Sequence, residues 1–209
     1  KVAASELSGI KTIYWANHFH SFLIRNLSYV QHIYLADNEH DGRAVYFETQ
    51  SRRFIKFFRE QFPLHSLHRA APILSKLRQL KHPLEIKTIK QAIEITHKGF
   101  LTLCRSIKEG VFEFELEAAL THTFLLNRSR THAFQPIIAS GKNACVLHYI
   151  SNNASCKNGE VVLADFGAEY ANYNADITRC LPVNGRFDKR QKEIYNAVLC
   201  IFYEARKRM

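Results

Sequence analysis

The sequence predicts an α+β fold, and three observations carry that prediction. Long segments with helical periodicity span residues 83–100, 112–127 and 188–201. Short β-rich runs gather between residues 133 and 181. The last two runs are joined by a tight connection in VVLADFGAEYANYNADITRCLPVN, Val161 to Asn184, which reads as a hairpin with an acid in each strand. A chain of 209 residues can hold one large domain or two small ones, and 46% apolar content is enough for a core.

Residues 1–63 read as a small α/β piece. Lys11–Trp15 is strand-like, Phe19–Leu27 suits a helix, and His32–Ala36 and Ala44–Glu48 flank the turn-rich DNEHDG. Ser51 is placed to cap a helix whose inner side is Phe54, Phe57, Phe58 and Phe62. His18, His20, Glu39 and His40 have no diagnostic metal spacing and read as solvated loop or helix-face residues.

Leu64–Pro72 is polar and bounded by Pro63 and Pro72, so it is a candidate linker between a first domain, 1–68, and a second, 69–209. A short helix over Arg69–Leu80 precedes a longer one, with Pro83 in its first turn and Ile86, Ile89, Ile93 and Phe100 at helical spacing. Gly110 breaks the chain before an amphipathic helix over Phe112–Asn127, with Leu116, Leu120 and Phe124 inward. Its acids Glu113, Glu115 and Glu117 are explained by the positive end of the helix dipole and are not catalytic candidates.

Ala133–Ser140 is an apolar run in which Pro136, lacking an N–H, marks an edge, a bulge or a strand start. Cys145–Tyr149 reads as the next strand, and Asn158-Gly159 turns the chain into the acid-bearing hairpin. Asp188, with Gln191 at the reciprocal position, caps a last helix with a predicted buried stripe of Ile194, Val198 and Ile201.

Within the hairpin, Ala171 and Asn172 are available for the turn. Pairing about Tyr170 and Ala171 would set Asp165 directly opposite Asp176, with Cβ atoms roughly 4.5–5.5 Å apart. Facing anions destabilise a sheet, and a carboxylate in an apolar strand is costly unless paired or bound to a cation. A hard divalent metal removes both penalties. The alternative is that each acid bonds backbone amides or an arginine such as Arg179, with no chemistry; a single bulge would break the facing register.

LADFGAEYANYNADITRCLPVNGRF resembles the first metal-binding hairpin of the pita-bread metallopeptidases, specifically the Xaa-Pro aminopeptidases, and PIIASGKNACVLHYISNN resembles the strand and loop that bring a histidine to their site. LRQLKHPLEIKTI resembles the opening of their catalytic domain, and the likeness runs from about Leu77 to the end. Over residues 1–68 it is looser, carried by ELSGIKT, IYLADNEHD and FPLH. The resemblance implies the first half of a pita-bread (creatinase/aminopeptidase) fold, preceded by the C-terminal part of a small α/β N-terminal domain.

The same resemblance implies an activity: a metal-dependent aminopeptidase that releases an N-terminal residue from peptides with proline second, using two Mn2+ ions. Asp165 and Asp176 match the first two metal ligands. His148, in LHY, matches the catalytic and substrate-binding histidine beside the scissile carbonyl. Phe134 aligns with a substrate-side residue that is Tyr in the family pattern; it keeps the ring and loses the hydroxyl. The family's remaining ligands, one His and two Glu, follow the point at which this chain ends, so these 209 residues alone are expected to bind metal weakly and to be inactive. A prolidase acting on dipeptides and a non-catalytic binding module are the competing readings.

Composition narrows the partners. The formal net charge is +10, but Lys and Arg are scattered over helices without interleaved aromatics, which argues against nucleic acid. No apolar run approaches the roughly 20 residues of a membrane span, and no signal-peptide core is present at the start. Five widely spaced cysteines, 104, 145, 156, 180 and 200, fit a reducing compartment, so a cytoplasmic enzyme is expected. The resemblance adds proline-containing peptides as substrates and a homodimer as the assembly.

Overall fold

The computed structural model describes residues 1–37 and 48–208. Two compact units, Lys1–Leu80 and Lys81–Met209, make up the chain. The expected boundary at residues 68 and 69 falls before helix Ala71–Gln79, which belongs to the first of these units.

In the first unit, helix α1 (Val2–Ser8), a 3-10 turn (Ala16–His18) and helix α2 (Phe19–Leu27) precede strand β1 (His32–Leu35). The segment expected as a strand, Lys11–Trp15, is not one. Helix α3 (Gln50–Gln61) is capped by Thr49, whose hydroxyl accepts from Arg52 N at 3.2 Å, so the cap lies two residues before the expected Ser51. Phe58 is fully buried and its ring meets those of Phe54 and Phe62. Strand β2 (Ser66–Arg69) runs parallel to β1, with His32 opposite Ser66, inside the stretch expected to be a linker. Its SLHR sequence has no apolar alternation to announce it. The expected strand Ala44–Glu48 and the DNEHDG turn, with Glu39 and His40, lie largely outside the described residues. Helix α4 (Ala71–Gln79) closes the unit.

The second unit packs two helices on one face of an antiparallel sheet. Helix α5 (Pro83–Ser106) begins with Pro83 in its first turn, and Glu85 accepts the His82 N–H. Helix α6 (Glu113–Leu126) follows, then strand β3 (Ile137–Ser140) and a 3-10 segment (Gly141–Cys145). Strand β4 (Val161–Phe166) is central in the order β3-β4-β7, with β7 spanning Ile177–Pro182. The two-residue strands β5 (Glu169–Tyr170) and β6 (Tyr173–Asn174) continue the β4/β7 hairpin in the same register to its tip. Helix α7 (Lys189–Lys207) ends the unit, capped reciprocally by Asp188 and Gln191.

Pro136 stands immediately before β3, the strand-start option of the three that a missing N–H allowed. Cys145–Tyr149 is not a strand but the end of the 3-10 segment and a turn. Val162, Ala164 and Phe166 alternate inward and meet Leu116, Leu120 and Phe124 of α6, the predicted stripe, in one buried core.

The α5 face differs from expectation. Ile86 and Ile93 are exposed, and the buried side is Ala92, Ile95, Thr96, Gly99 and Leu103. Small residues win because the neighbours are close: a Cβ on Gly99 would lie 2.6 Å from both Leu120 Cδ1 and Phe124 Cε1. Thr96 exploits the same proximity. Its hydroxyl accepts from the buried Ala168 N–H at 2.9 Å and donates to Ala92 O at 2.9 Å, tying α5 to the chain just beyond β4. Thr96→Val should cost about 1–3 kcal/mol by orphaning that amide, with Thr96→Ser retaining most of the stability, as read from denaturant midpoints.

The expected buried stripe of α7 is open. Ile194, Val198 and Ile201 are exposed, and no residue of this helix is buried among the described residues.

Candidate metal centre

Ala171 and Asn172 sit at φ 51° and 66° between the paired residues Tyr170 and Tyr173. Two consecutive positive φ values make the two-residue turn whose twist matches a hairpin. That turn sets the register, and it corrects the facing arrangement expected for the acids. Asp165 stands opposite Thr178, not opposite Asp176. A turn centred on Ala171–Asn172, rather than on Tyr170–Ala171, moves the pairing by two residues. Because the side-chain period of a strand is two, this slip keeps both acids on one face as diagonal neighbours.

The close approach of the two strands next to the acids depends on Gly167. In the continued register Gly167 faces Asp176, and a Cβ there would lie 1.7 Å from Ala175 O and 3.2 Å from Asp176 Cα. The Ala175 N–H donates to Ala168 O at 3.0 Å, and Gly167 O accepts from Ala133 N at 2.8 Å. The glycine is thus enclosed by backbone on both sides.

Asp165 is half-buried on the face opposite the helices, and Thr178 Oγ1 donates to its Oδ1 at 2.8 Å. Burial, the charge of Asp165 and a carboxyl–carboxyl hydrogen bond with Asp165 push the Asp176 carboxyl above its ordinary range. Two acids brought within hydrogen-bonding reach, one of them reluctant to ionise, form a donor set of oxygens that suits a hard divalent cation. Arg179 does not neutralise them; its guanidinium donates to Thr178 O at 2.8 Å. Among the described residues, the alternative in which Arg179 satisfies the acids is therefore not the arrangement found.

Phe134 is half-buried. The neighbouring Ala133 N–H bonds Gly167 O, which brings this segment alongside the acid hairpin. His148 is exposed, with φ 52°, in the turn that follows the 3-10 segment. No hydrogen bond among the described residues joins it to Asp165 or Asp176. The structure therefore gathers Asp165, Asp176 and the Phe134 segment, and holds His148 on a separate loop that leaves β3 at Ser140.

That loop is anchored by a residue that composition disguised. Glu113 is not a solvated first-turn acid but is completely buried. Its Oε1 accepts from Ser140 N at 2.7 Å, Ser140 Oγ at 2.8 Å and Asn143 Nδ2 at 3.2 Å; its Oε2 accepts from Tyr149 OH at 2.8 Å and Ala154 N at 2.9 Å. Burial alone would raise its pKa, but these bonds from Ser140, Ala154 and Tyr149 outweigh burial and hold it below the ordinary carboxylate range. The signal in the sequence was position: Glu113 lies three residues before Leu116, on the inward stripe.

Comparison with known proteins bears on the family and fold of the chain. Residues 87–209 match the family described as Metallopeptidase family M24. The Xaa-Pro aminopeptidase of Haemophilus influenzae is 41% identical over 128 residues, 61% of this chain and 30% of its own length; that of Escherichia coli K12 is 39% identical over 128 residues, 61% and 29%. Among solved structures, proline aminopeptidase P II from Yersinia pestis superposes with a TM-score of 0.80 at 28% identity, covering 98% of this chain and 47% of that one. Zinc-substituted E. coli aminopeptidase P in complex with product gives 0.78 at 31% identity, covering 94% and 45%. The chain thus spans under a third of these curated relatives and about half of these solved chains, as expected for part of a pita-bread fold. With the acid pair on its hairpin and the matched segment running from within α5 through the sheet to the last helix, this chain belongs to metallopeptidase family M24.

Proposed function

We propose that the full-length protein containing this chain is an aminopeptidase that releases the N-terminal residue from peptides with proline in second position. The observation that carries the proposal is the pair Asp165 and Asp176, two acids on one face of a hairpin beside which the Arg179 guanidinium bonds Thr178 O instead. Asp165 and Asp176 are metal ligands, and Thr178 orients the first of them. Hard cations take about six oxygen ligands, so further donors must come from outside the residues described. Divalent metal, for which we favour two Mn2+ ions, would polarise the scissile carbonyl and make water nucleophilic near neutral pH. His148 donates a hydrogen bond to the oxygen that gains negative charge, a role that suits an exposed side chain on a tethered turn. Phe134 lines the substrate side. A cytoplasmic homodimer completes the reading, and five free cysteines suit the reducing compartment it assumes.

The test is release of the first residue from Xaa-Pro-Xaa tripeptides by the full-length gene product, before and after chelation. Activity should vanish with chelation and return with Mn2+. Cleavage confined to Xaa-Pro dipeptides would make the protein a prolidase, and inactivity that no divalent metal relieves would leave a binding module.

A further inference from the structure

We propose that Glu113 is a positioning residue for His148, acting as the strut that sets the loop carrying it; this rests on the role given to His148 above. The loop opens with the 3-10 segment Gly141–Cys145, and its own backbone bonding thins out before His148. Val146 N bonds Asn143 O at 2.9 Å, and His148 takes no part in the backbone hydrogen bonds described. Beyond that segment, one carboxylate ties the two stems of the loop together. Glu113 binds the loop's first stem at Ser140 and its second at Ala154, and reaches the interior through Asn143 and Tyr149. Asn143 Nδ2 also donates to Tyr149 OH at 3.0 Å, so the residue next to His148 is gripped from two directions. Tyr149 is buried while Leu147 and His148 are exposed, so the fixed phenol sets the direction in which the turn presents the imidazole.

A second acid lies one helical turn further on. Glu117 accepts a hydrogen bond from Asn152, itself at φ 49°, so α6 holds the loop at two places on the same side. Glu113 must be an anion for this task. All five of its partners present N–H or O–H, and a carboxylate is acceptor-only at both oxygens. A glutamine would aim an NH2 group at donors and break the set on one side while nearly preserving volume.

The experiment is a double-mutant cycle in the full-length protein with a Xaa-Pro-Xaa substrate, following kcat, KM and bound metal. Glu113→Gln should lower kcat by about 10- to 100-fold, the order expected for misplacing a reacting partner by an ångström. Metal content should stay intact, and in a His148→Ala background Glu113→Gln should reduce kcat little further. Tyr149→Phe, a milder cut in the same strut, should fold normally and show a smaller kcat loss that also disappears in the His148→Ala background. If His148→Ala lowers kcat but the Glu113 and Tyr149 changes multiply with it in full, or leave kcat untouched, Glu113 is structural and the proposal is overturned. If His148→Ala alone leaves kcat unchanged, the His148 assignment fails first and takes this one with it.

Discussion

Replacing Gly167 by alanine should destabilise the protein by more than about 3 kcal/mol, among the largest effects of any single methyl group in this chain. The added carbon would lie 1.7 Å from Ala175 O, and that obstacle is backbone, not the end of a flexible side chain. Neither strand can retreat cheaply. Ala175 is held through its N–H by Ala168 O, Ala168 is held by Thr96, and Gly167 O is occupied by Ala133. Relief requires opening the hairpin beside Asp165 and Asp176, so metal affinity should fall together with stability. A comparison within the same protein isolates the cause: Gly185→Ala has open space around its Cβ but φ 76°, and should cost only about 1–2 kcal/mol of left-handed strain. Denaturant midpoints of the two variants give the difference directly, and equal losses would refute the close-contact explanation.

Asp165→Asn and Asp176→Asn should have opposite effects on the metal-free and metal-loaded protein. Without metal, each change removes a like-charge contact on the sheet, and stability should rise by about 0.5 kcal/mol. With metal, each removes an anionic ligand, and affinity for Mn2+ should fall beyond the roughly 10- to 100-fold that loss of an outer-shell partner produces. Thr178→Val supplies that outer-shell comparison, since it deletes only the hydroxyl that bonds Asp165. Calorimetric titration with Mn2+ and thermal melts in chelator measure the two effects separately. Destabilisation of the metal-free protein by Asp176→Asn would mean that the acid serves the fold and not an ion.

The parts legible in the sequence were those where large side chains repeat or where a turn demands particular residues. Leu116, Leu120 and Phe124 announce α6, and Ala171–Asn172 announce the tip of the hairpin. The register was harder to read, because assignments two residues apart keep the same faces and differ only in which residue stands opposite Asp165. The buried side of α5 was hidden for a different reason. Ala92, Thr96 and Gly99 contribute little hydrophobicity, and their value lies in letting α6 and the end of β4 come close. Ile86 and Ile93 carried the periodic signal yet face outward. Strand β2 was lost in a polar stretch because backbone pairing, rather than burial, defines it. Glu113 was read from residue type as an ordinary helix-start acid; reading it from helical phase would have put it inside.

The alternation along β4 separates two kinds of constraint within six residues. Val162, Ala164 and Phe166 answer to the helices, whereas Leu163 and Asp165, on the other side, are released from that obligation. Descendants of such a strand can exchange polar side chains, or lose them, by substitutions at every second position while the interior stays unaltered. A hairpin built this way can change the chemistry of its outer face without first becoming a poorer scaffold.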